Sequence, residues 1–325
     1  MTTARPAGRA SLRVDLLVMS VAVAWGATYW VAKDLVAGGA VLAVLGVRMG
    51  LTTVLLGAGL LLSRRRVTRS ELTVGVTLGV ILTAVFAFET FGIAGPSATN
   101  AGLIISLTMI FTPVLESVVN RTRLAGIYYV AGVLSILGVA LLTAGGEVTT
   151  FGLGDWLVLG AAVVRAVHVT MMHRLPRGRP LDSFNLTFVQ MAVCGVAFVA
   201  ASFFTSQSVA SFVPRMDAGQ VAAMVFLVIV CTVFPFVVQM WAVRRTSPSR
   251  VSLLLGTEPV WAALVGVTLA GDRLAPIGWV GLVIVLVSTL GAQRLGSDGP
   301  ARPGSHPTGP GAETREVGAA RPSGG

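Results

Sequence analysis

The chain has 325 residues, 54% hydrophobic and only 12% charged, with 24 basic and 14 acidic side chains. A soluble domain carries about twice that charged fraction, so composition excludes an ordinary water-soluble fold. The net charge of +10 does not indicate a nucleic-acid partner, because the basic residues sit in links and tails where anionic lipid headgroups attract them.

An N-terminal arm, 1–14, carries Arg5, Arg9 and Arg13. Ten apolar stretches follow at 15–35, 40–62, 73–95, 98–119, 125–145, 155–174, 183–205, 219–242, 249–270 and 276–294. About twenty residues at 1.5 Å each cross a hydrocarbon core of roughly 30 Å. Ala22-Val23-Ala24 resembles a signal-peptidase site, but the run continues through Trp25, Tyr29 and Trp30, which suits a retained first helix. With the N-terminus in the cytoplasm, the cytoplasmic links and tails hold nineteen arginines. The external links hold three basic residues, Lys33, Arg215 and Arg273. This positive-inside bias predicts ten spans with both termini inside. Lys33 is the single lysine beside 23 arginines, a usage that points to GC-rich coding and a bacterial cytoplasmic membrane. Residues 296–325 are rich in Gly, Pro, Ala and Ser and are expected to form a disordered cytoplasmic tail. Cys194 and Cys231 fall inside apolar stretches and read as small buried hydrophobes.

The two halves resemble each other. Asp15 to Val18 matches Asp155 to Val158 at an offset of 140, and Ser97 to Leu124 matches Ser247 to Leu274 at an offset of 150. Both offsets place stretch one on six and four on nine. Five is odd, so the second copy (155–295) lies upside down relative to the first (15–145), across an external linker at 146–154. The predicted fold is an all-α integral membrane protein with ten transmembrane helices as two inverted five-helix repeats, a recurring design of secondary transporters.

Ala24-Trp25-Gly26, Arg48, the segment Ser97 to Leu124, and Ser247 through Glu258-Pro259-Val260-Trp261 to Gly271-Asp272-Arg273-Leu274 resemble an EamA-type transporter of the drug/metabolite transporter superfamily. Asp272 stands where that family usually has Glu. Thr108-Met109 replaces Glu-Pro or Ser-Pro in the first copy, and Arg165 stands where Trp is frequent. The resemblance implies ten helices, a central cavity lined mainly by helices one, three, four, six, eight and nine, and export of small metabolites or amino acids.

A charge at mid-helix costs about 2.5–3.5 kcal/mol on insertion scales, so each one needs a reason. Arg48 and Glu89 lie at similar depth in the outer half and read as a structural ion pair between helices two and three. Arg165 and Glu258 lie near mid-helix and form the candidate substrate site. Arg165 would hold a carboxylate, and Glu258 an ammonium group or a coupling proton; a self-contained salt bridge is the competing reading. His168 is three residues from Arg165 and reads as a proton relay or a plain interhelical hydrogen bond. Glu89 and Gln239 correspond at the offset of 150 and join the candidate site with Trp25, Tyr29 and Trp261; Gln190 is an amide at a mid-membrane position similar to that of Gln239. Trp25, Tyr29, Trp30, Phe86, Phe236 and Trp261 form a candidate aromatic wall. Pro113, Pro235 and Pro259 are candidate hinges, each removing one backbone hydrogen bond. Gly46/Gly50 and Gly75/Gly79 have the small-xxx-small spacing of close helix packing. Glu116, beside Arg121 and Arg123, is expected in a surface ion pair.

No H-E-x-x-H, G-x-S-x-G or P-loop is present, and the three histidines are too dispersed for a metal site, so no enzyme activity, cofactor or metal is expected. The predicted function is secondary-active export of a small metabolite or amino acid by alternating access, with a proton as the candidate coupling ion. A membrane-embedded enzyme, a channel or a lipid scramblase is the alternative. Substrate and oligomeric state are not legible, and a homodimer stays open.

Overall fold

A computed structural model describes residues 7–36, 40–93, 104–105, 107–121, 125–142, 152–270 and 275–296. The expected tail beyond residue 296 and most of the expected linker at 146–154 lie outside the described residues. Each apolar stretch falls on a helical element: α1 (Ala7–Val36), α2 (Val41–Leu62), α3 (Arg69–Ile93), α4 (Thr108–Asn120), α5 (Gly126–Leu142), α6 (Leu153–Arg174), α7 (Ser183–Ser202), α8 (Ala218–Val243), α9 (Pro248–Leu269) and α10 (Pro276–Gly296). Seven contain segments long and apolar enough to span a bilayer; α4, α5 and α10 contribute shorter apolar runs, such as Gly126–Leu141. The chain is an all-α multi-pass membrane protein.

These residues form helices because a bilayer core offers no water to backbone N–H and C=O groups, which must then bond within the segment. The outward faces agree: Val54, Val196, Leu137 and Val287 are 54–72% exposed on long helices, a surface that lipid chains satisfy and water does not. At the arginine-rich end, α7 is capped by Asp182, whose carboxylate accepts from the Phe184 and Asn185 N–H groups. Glu71 of α3 accepts in turn from the Asp182 N–H at 2.8 Å and from Asn185 Nδ2 at 3.0 Å. The start of α9 is built similarly, with Ser247 as N-cap and Pro248 in the first turn, where its missing N–H costs nothing. Glu116 is buried and accepts from the Ser249 N–H at 2.8 Å and from its hydroxyl. It therefore ties α4 to α9 and is not on the surface beside Arg121 and Arg123, as sequence position had implied.

The two sequence halves interleave. α1 packs on α8 and both parts of α9, α2 on α7, α3 on α6 and α7, α4 on α6 and α9, and α5 on α10. Glycines set the closest approaches. A Cβ added at Gly75 or Gly79 of α3 would lie 2.5 Å or 2.7 Å from the Cβ of Val189 or Val193 in α7; one at Gly46 of α2 would lie 2.8 Å from Val209 Cγ2. Between α5 and α10, Gly138 faces the Gly281 carbonyl and Ser135 meets Ser288 at 2.9 Å, small and polar groups that join helices where hydrophobicity cannot. The main core cluster takes Val21 and Trp25 from α1, Met49 from α2, Leu82 from α3, Met172 from α6, Phe198 from α7, Phe236 from α8 and Leu254 from α9.

Candidate functional site

Two irregular helices define the middle of the molecule. In α8, regular helix gives way to a π-helical turn at Ile229–Val233, and Pro235 follows immediately. Proline has no N–H for the carbonyl four residues earlier, here that of Cys231. Two long side chains from the first half take that carbonyl: Trp25 Nε1 donates to it at 3.2 Å and Arg48 Nη2 at 2.9 Å. Arg48 Nε also donates to Thr232 Oγ1 at 2.6 Å, and Thr232 donates on to the Leu227 carbonyl at 2.7 Å. The buried guanidinium of Arg48 thus reaches both a backbone carbonyl and a hydroxyl of α8. The expected partner Glu89 is half-buried on α3, and α7 packs between α2 and α3, so those two helices are not the direct neighbours that the proposed pairing assumed.

The second irregular helix is α9, whose regular parts, Pro248–Leu255 and Glu258–Val265, are separated at Gly256–Thr257. Glu258 opens the second part, partly buried, with Pro259 next. Thr257 Oγ1 donates to the Leu254 carbonyl at 2.7 Å and accepts from Trp261 Nε1 at 3.2 Å. Met109 of α4 fills the space beside the break; a Cβ at Gly256 would collide with its side chain. Gly26 of α1 plays the reciprocal part, since a Cβ there would lie 2.7 Å from the Trp261 Cβ. Pro113 is buried in α4.

Around these breaks the predicted residues fall into two groups. Arg165 of α6 lies 5.1 Å from the centroid of the Trp25 ring, a cation–π arrangement that a dry setting strengthens. Trp25 also packs against Phe236 at 5.5 Å between centroids; Phe236 meets Phe86 at 6.0 Å, and Phe86 meets Phe198 at 6.2 Å. α1, α3, α7 and α8 thus contribute a run of ring contacts within the core. Trp30 is 45% exposed and outside it, and the Tyr29 side chain lies outside the described residues. His168, also on α6, points elsewhere: it is buried, with Nε2 3.2 Å from Gln190 Oε1 of α7. Among the described residues, Gln190 Nε2, Gln239 Oε1 and Thr170 Oγ1 are buried polar atoms without a protein hydrogen-bond partner.

Sequence reading missed Thr232, Thr257, Phe198 and the Cys231 carbonyl. The last was recoverable, because Pro235 announces which carbonyl goes unserved. It also missed a two-armed ion pair joining α1 to α9, in which Arg250 Nε and Nη2 reach the Asp15 carboxylate at 2.9 Å and 2.5 Å. No group of three metal-ligating side chains occurs among the described residues.

The EamA-like transporter family model matches this chain over residues 12–144 and 152–292. Relatives include the uncharacterized transporter YcxC of Bacillus subtilis, 24% identical over 64% of this chain and 68% of its own length. The uncharacterized inner membrane transporter YedA of Escherichia coli K12 is 23% identical over 82% and 86%. An uncharacterized transporter of Archaeoglobus fulgidus is 23% identical over 80% and 92%. A crystal structure with 15% identity superposes with a TM-score of 0.74 over 88% of this chain and 98% of its own, a likeness of fold. With helices broken beside a polar and aromatic centre, and with the family model matched across most of its length, the chain belongs to the EamA-like transporter family.

Proposed function

We propose that this small-molecule transporter is a gradient-driven exporter of a small polar or amphipathic metabolite, an amino acid being the first candidate. Two inverted five-helix repeats, 15–145 and 155–295, alternate access around a site at Trp25, Arg165 and Glu258. The observation that carries this reading is the Arg165 guanidinium of α6 held 5.1 Å from the Trp25 ring of α1, whose Nε1 reaches the irregular turn of α8. Arginine's planar fork matches the geometry of a carboxylate. Glu258 supplies the opposite charge at the start of a half-helix and takes the substrate ammonium or the coupling proton. The unpartnered Gln190, Gln239 and Thr170 atoms support a buried polar guest, since such groups cost about 1–3 kcal/mol each when left unsatisfied. His168 acts through Gln190, and Glu89 and Tyr29 extend the site.

The duplicated design is supported by the two separate matches to the family model and by two packing pairs that exchange when each helix is replaced by the one five places on: α3–α6 with α8–α1, and α4–α6 with α9–α1. The arginine distribution favours both termini in the cytoplasm of a bacterial cell. Pro113, Pro235 and Pro259 are the places where helix halves move against each other.

Amino-acid flux into proteoliposomes under an imposed pH gradient tests the proposal. The intact protein gives saturable, gradient-dependent flux, and Arg165→Gln and Glu258→Gln each remove it at normal expression. Flux surviving both substitutions ends the assignment of the site. Labelling that puts Gly146 and Gly178 on one face of the membrane ends the inverted arrangement.

A further inference from the structure

At the arginine-rich end, a cleft of about 580 Å³ opens between α1, the start of α7 and the end of α8. Its inner wall is apolar: Leu17, Val237, Val238 and Trp241. Its rim carries Arg65, Arg244 and Arg245 against one carboxylate, Asp182. The four charges are not equivalent. Arg65 is paired with Asp182 at 2.7 Å. Arg244 donates to the Ser183 hydroxyl at 2.7 Å, and Arg245 lies 4.6 Å over the Trp241 ring. Burial pushes the Arg244 guanidinium below its usual value, against the pull of Asp182 and Glu71, so an added anion would be welcome there. Trp241 and Arg245 also wall a second cleft of about 590 Å³, with Arg13 and Arg250 on its far side. With Arg65 paired to Asp182 and Arg250 to Asp15, the positive charge beside the Trp241 partition comes from Arg244 and Arg245 on one side and Arg13 on the other, and the wall below is apolar. Leu17 is 38% exposed, on a helix that crosses the membrane.

We infer that this cleft binds an anionic membrane phospholipid, its phosphodiester between Arg244 and Arg245 and an acyl chain along Leu17, Val237 and Val238. Basic pockets between membrane helices suit acidic headgroups, and an arginine stacked on a ring presents its donors as a fixed fork. A free phosphate ion would use the rim and leave the apolar wall uncovered. A zwitterionic lipid would bring a choline cation against three arginines. The inference needs only that the chain lies in a bilayer; it does not need the transport site proposed above.

The test is binding to the purified full-length chain, which reads nothing about transport. Native mass spectrometry and thermal unfolding are followed with phosphatidylglycerol, with phosphatidylcholine and with inorganic phosphate. Phosphatidylglycerol is retained and raises the unfolding midpoint; the other two are not and do not. Arg245→Gln, unchanged in midpoint in phosphatidylcholine, weakens phosphatidylglycerol binding about fivefold, the effect of one arginine on headgroup attraction. Phosphatidylglycerol with brominated chains quenches tryptophan emission in the native protein, and Trp241→Phe removes most of that quenching. Equal retention of phosphatidylcholine, an equal shift with phosphate alone, or undiminished binding by Arg245→Gln would each overturn the inference.

Discussion

α3 and α8 are the third helices of their halves, and at an offset of 150 residues they can be compared position by position. Phe86 corresponds to Phe236, and the two rings touch across the middle of the molecule at 6.0 Å. Around that shared contact everything else differs. α3 is one continuous helix of 25 residues. Gly75 and Gly79 let its backbone close onto α7. α8 has Val225 and Ile229 at those places, both 48% exposed, and it has Pro235 where α3 has Val85. One helix is an uninterrupted strut. The other is interrupted and hands a carbonyl to Trp25 and Arg48. At matching sequence positions, glycine spacing yields packing in α3 and proline yields a polar contact in α8.

The strongest way to break that contrast is to put the proline on the other side. Val85→Pro removes an N–H from a helix buried against α6 and α7, and Arg48 and Trp25 are already committed to Cys231. The cost is about 3 kcal/mol or more, read as a lowered unfolding midpoint in detergent and reduced yield. A Val85→Pro protein with native stability would show that α3 is not a strut. Next in size is Arg48→Met, which strips both arms from the Cys231 carbonyl and Thr232. Losing hydrogen bonds from a charged group costs about 1.5–3 kcal/mol, and Arg48→Lys recovers only part, because an ammonium lacks the fork. If Arg48 instead depends on Glu89, removing Glu89 lowers the midpoint as much, and Arg48→Met adds nothing to it. The glycine contrast predicts a further gap. Gly79→Ala forces a Cβ to 2.7 Å from Val193 Cβ and 3.0 Å from the Gln190 backbone, an overpacking cost of about 1–3 kcal/mol. Ile229→Ala, at the matching exposed place on α8, changes stability by about 0.5 kcal/mol or less. Equal midpoints for the two variants would remove the packing explanation.

Much of this was legible beforehand, and the reason it stopped where it did is physical. Length and hydropathy located α1 to α10 because a bilayer penalises unsatisfied backbone, but not the short helical turns at Val209–Phe212 and Val213–Arg215, which no span requires. Pro235 and Pro259 stand beside irregular stretches of α8 and α9, where the missing N–H is written in the sequence, but Pro113 lies inside an unbroken helix and the π turn at Gly266–Ala270 holds no proline. Neighbours were harder. A helix that is apolar all round does not say which face meets protein and which meets lipid, so α2 and α3 looked adjacent when α7 lies between them. Glu116 looked like a surface charge because it sits near arginines in sequence; its buried contact with Ser249 comes from a helix more than 120 residues away. Met109 beside Gly256 carried no polar signal at all. The Trp25–Arg165 contact joined two residues singled out separately, and only packing supplied the pair.

The smallest structural effect carries the finest test. Pro235→Ala returns an N–H four residues after Cys231, so the carbonyl regains a partner within its own helix. Trp25 and Arg48 then compete with that bond instead of filling a gap. Stability shifts by about 0.5 kcal/mol or less, since one set of hydrogen bonds exchanges for another. Amide exchange at 233–237 slows as α8 regularises. If the π turn is where α8 flexes during the transport cycle, flux falls several-fold while the unfolding midpoint stays level. Flux that holds steady as exchange slows would mean the interrupted backbone serves only to seat Arg48 and Trp25, and that movement between the halves happens at α9, where Gly256 and Thr257 separate two helices that no proline replacement in α8 would reach.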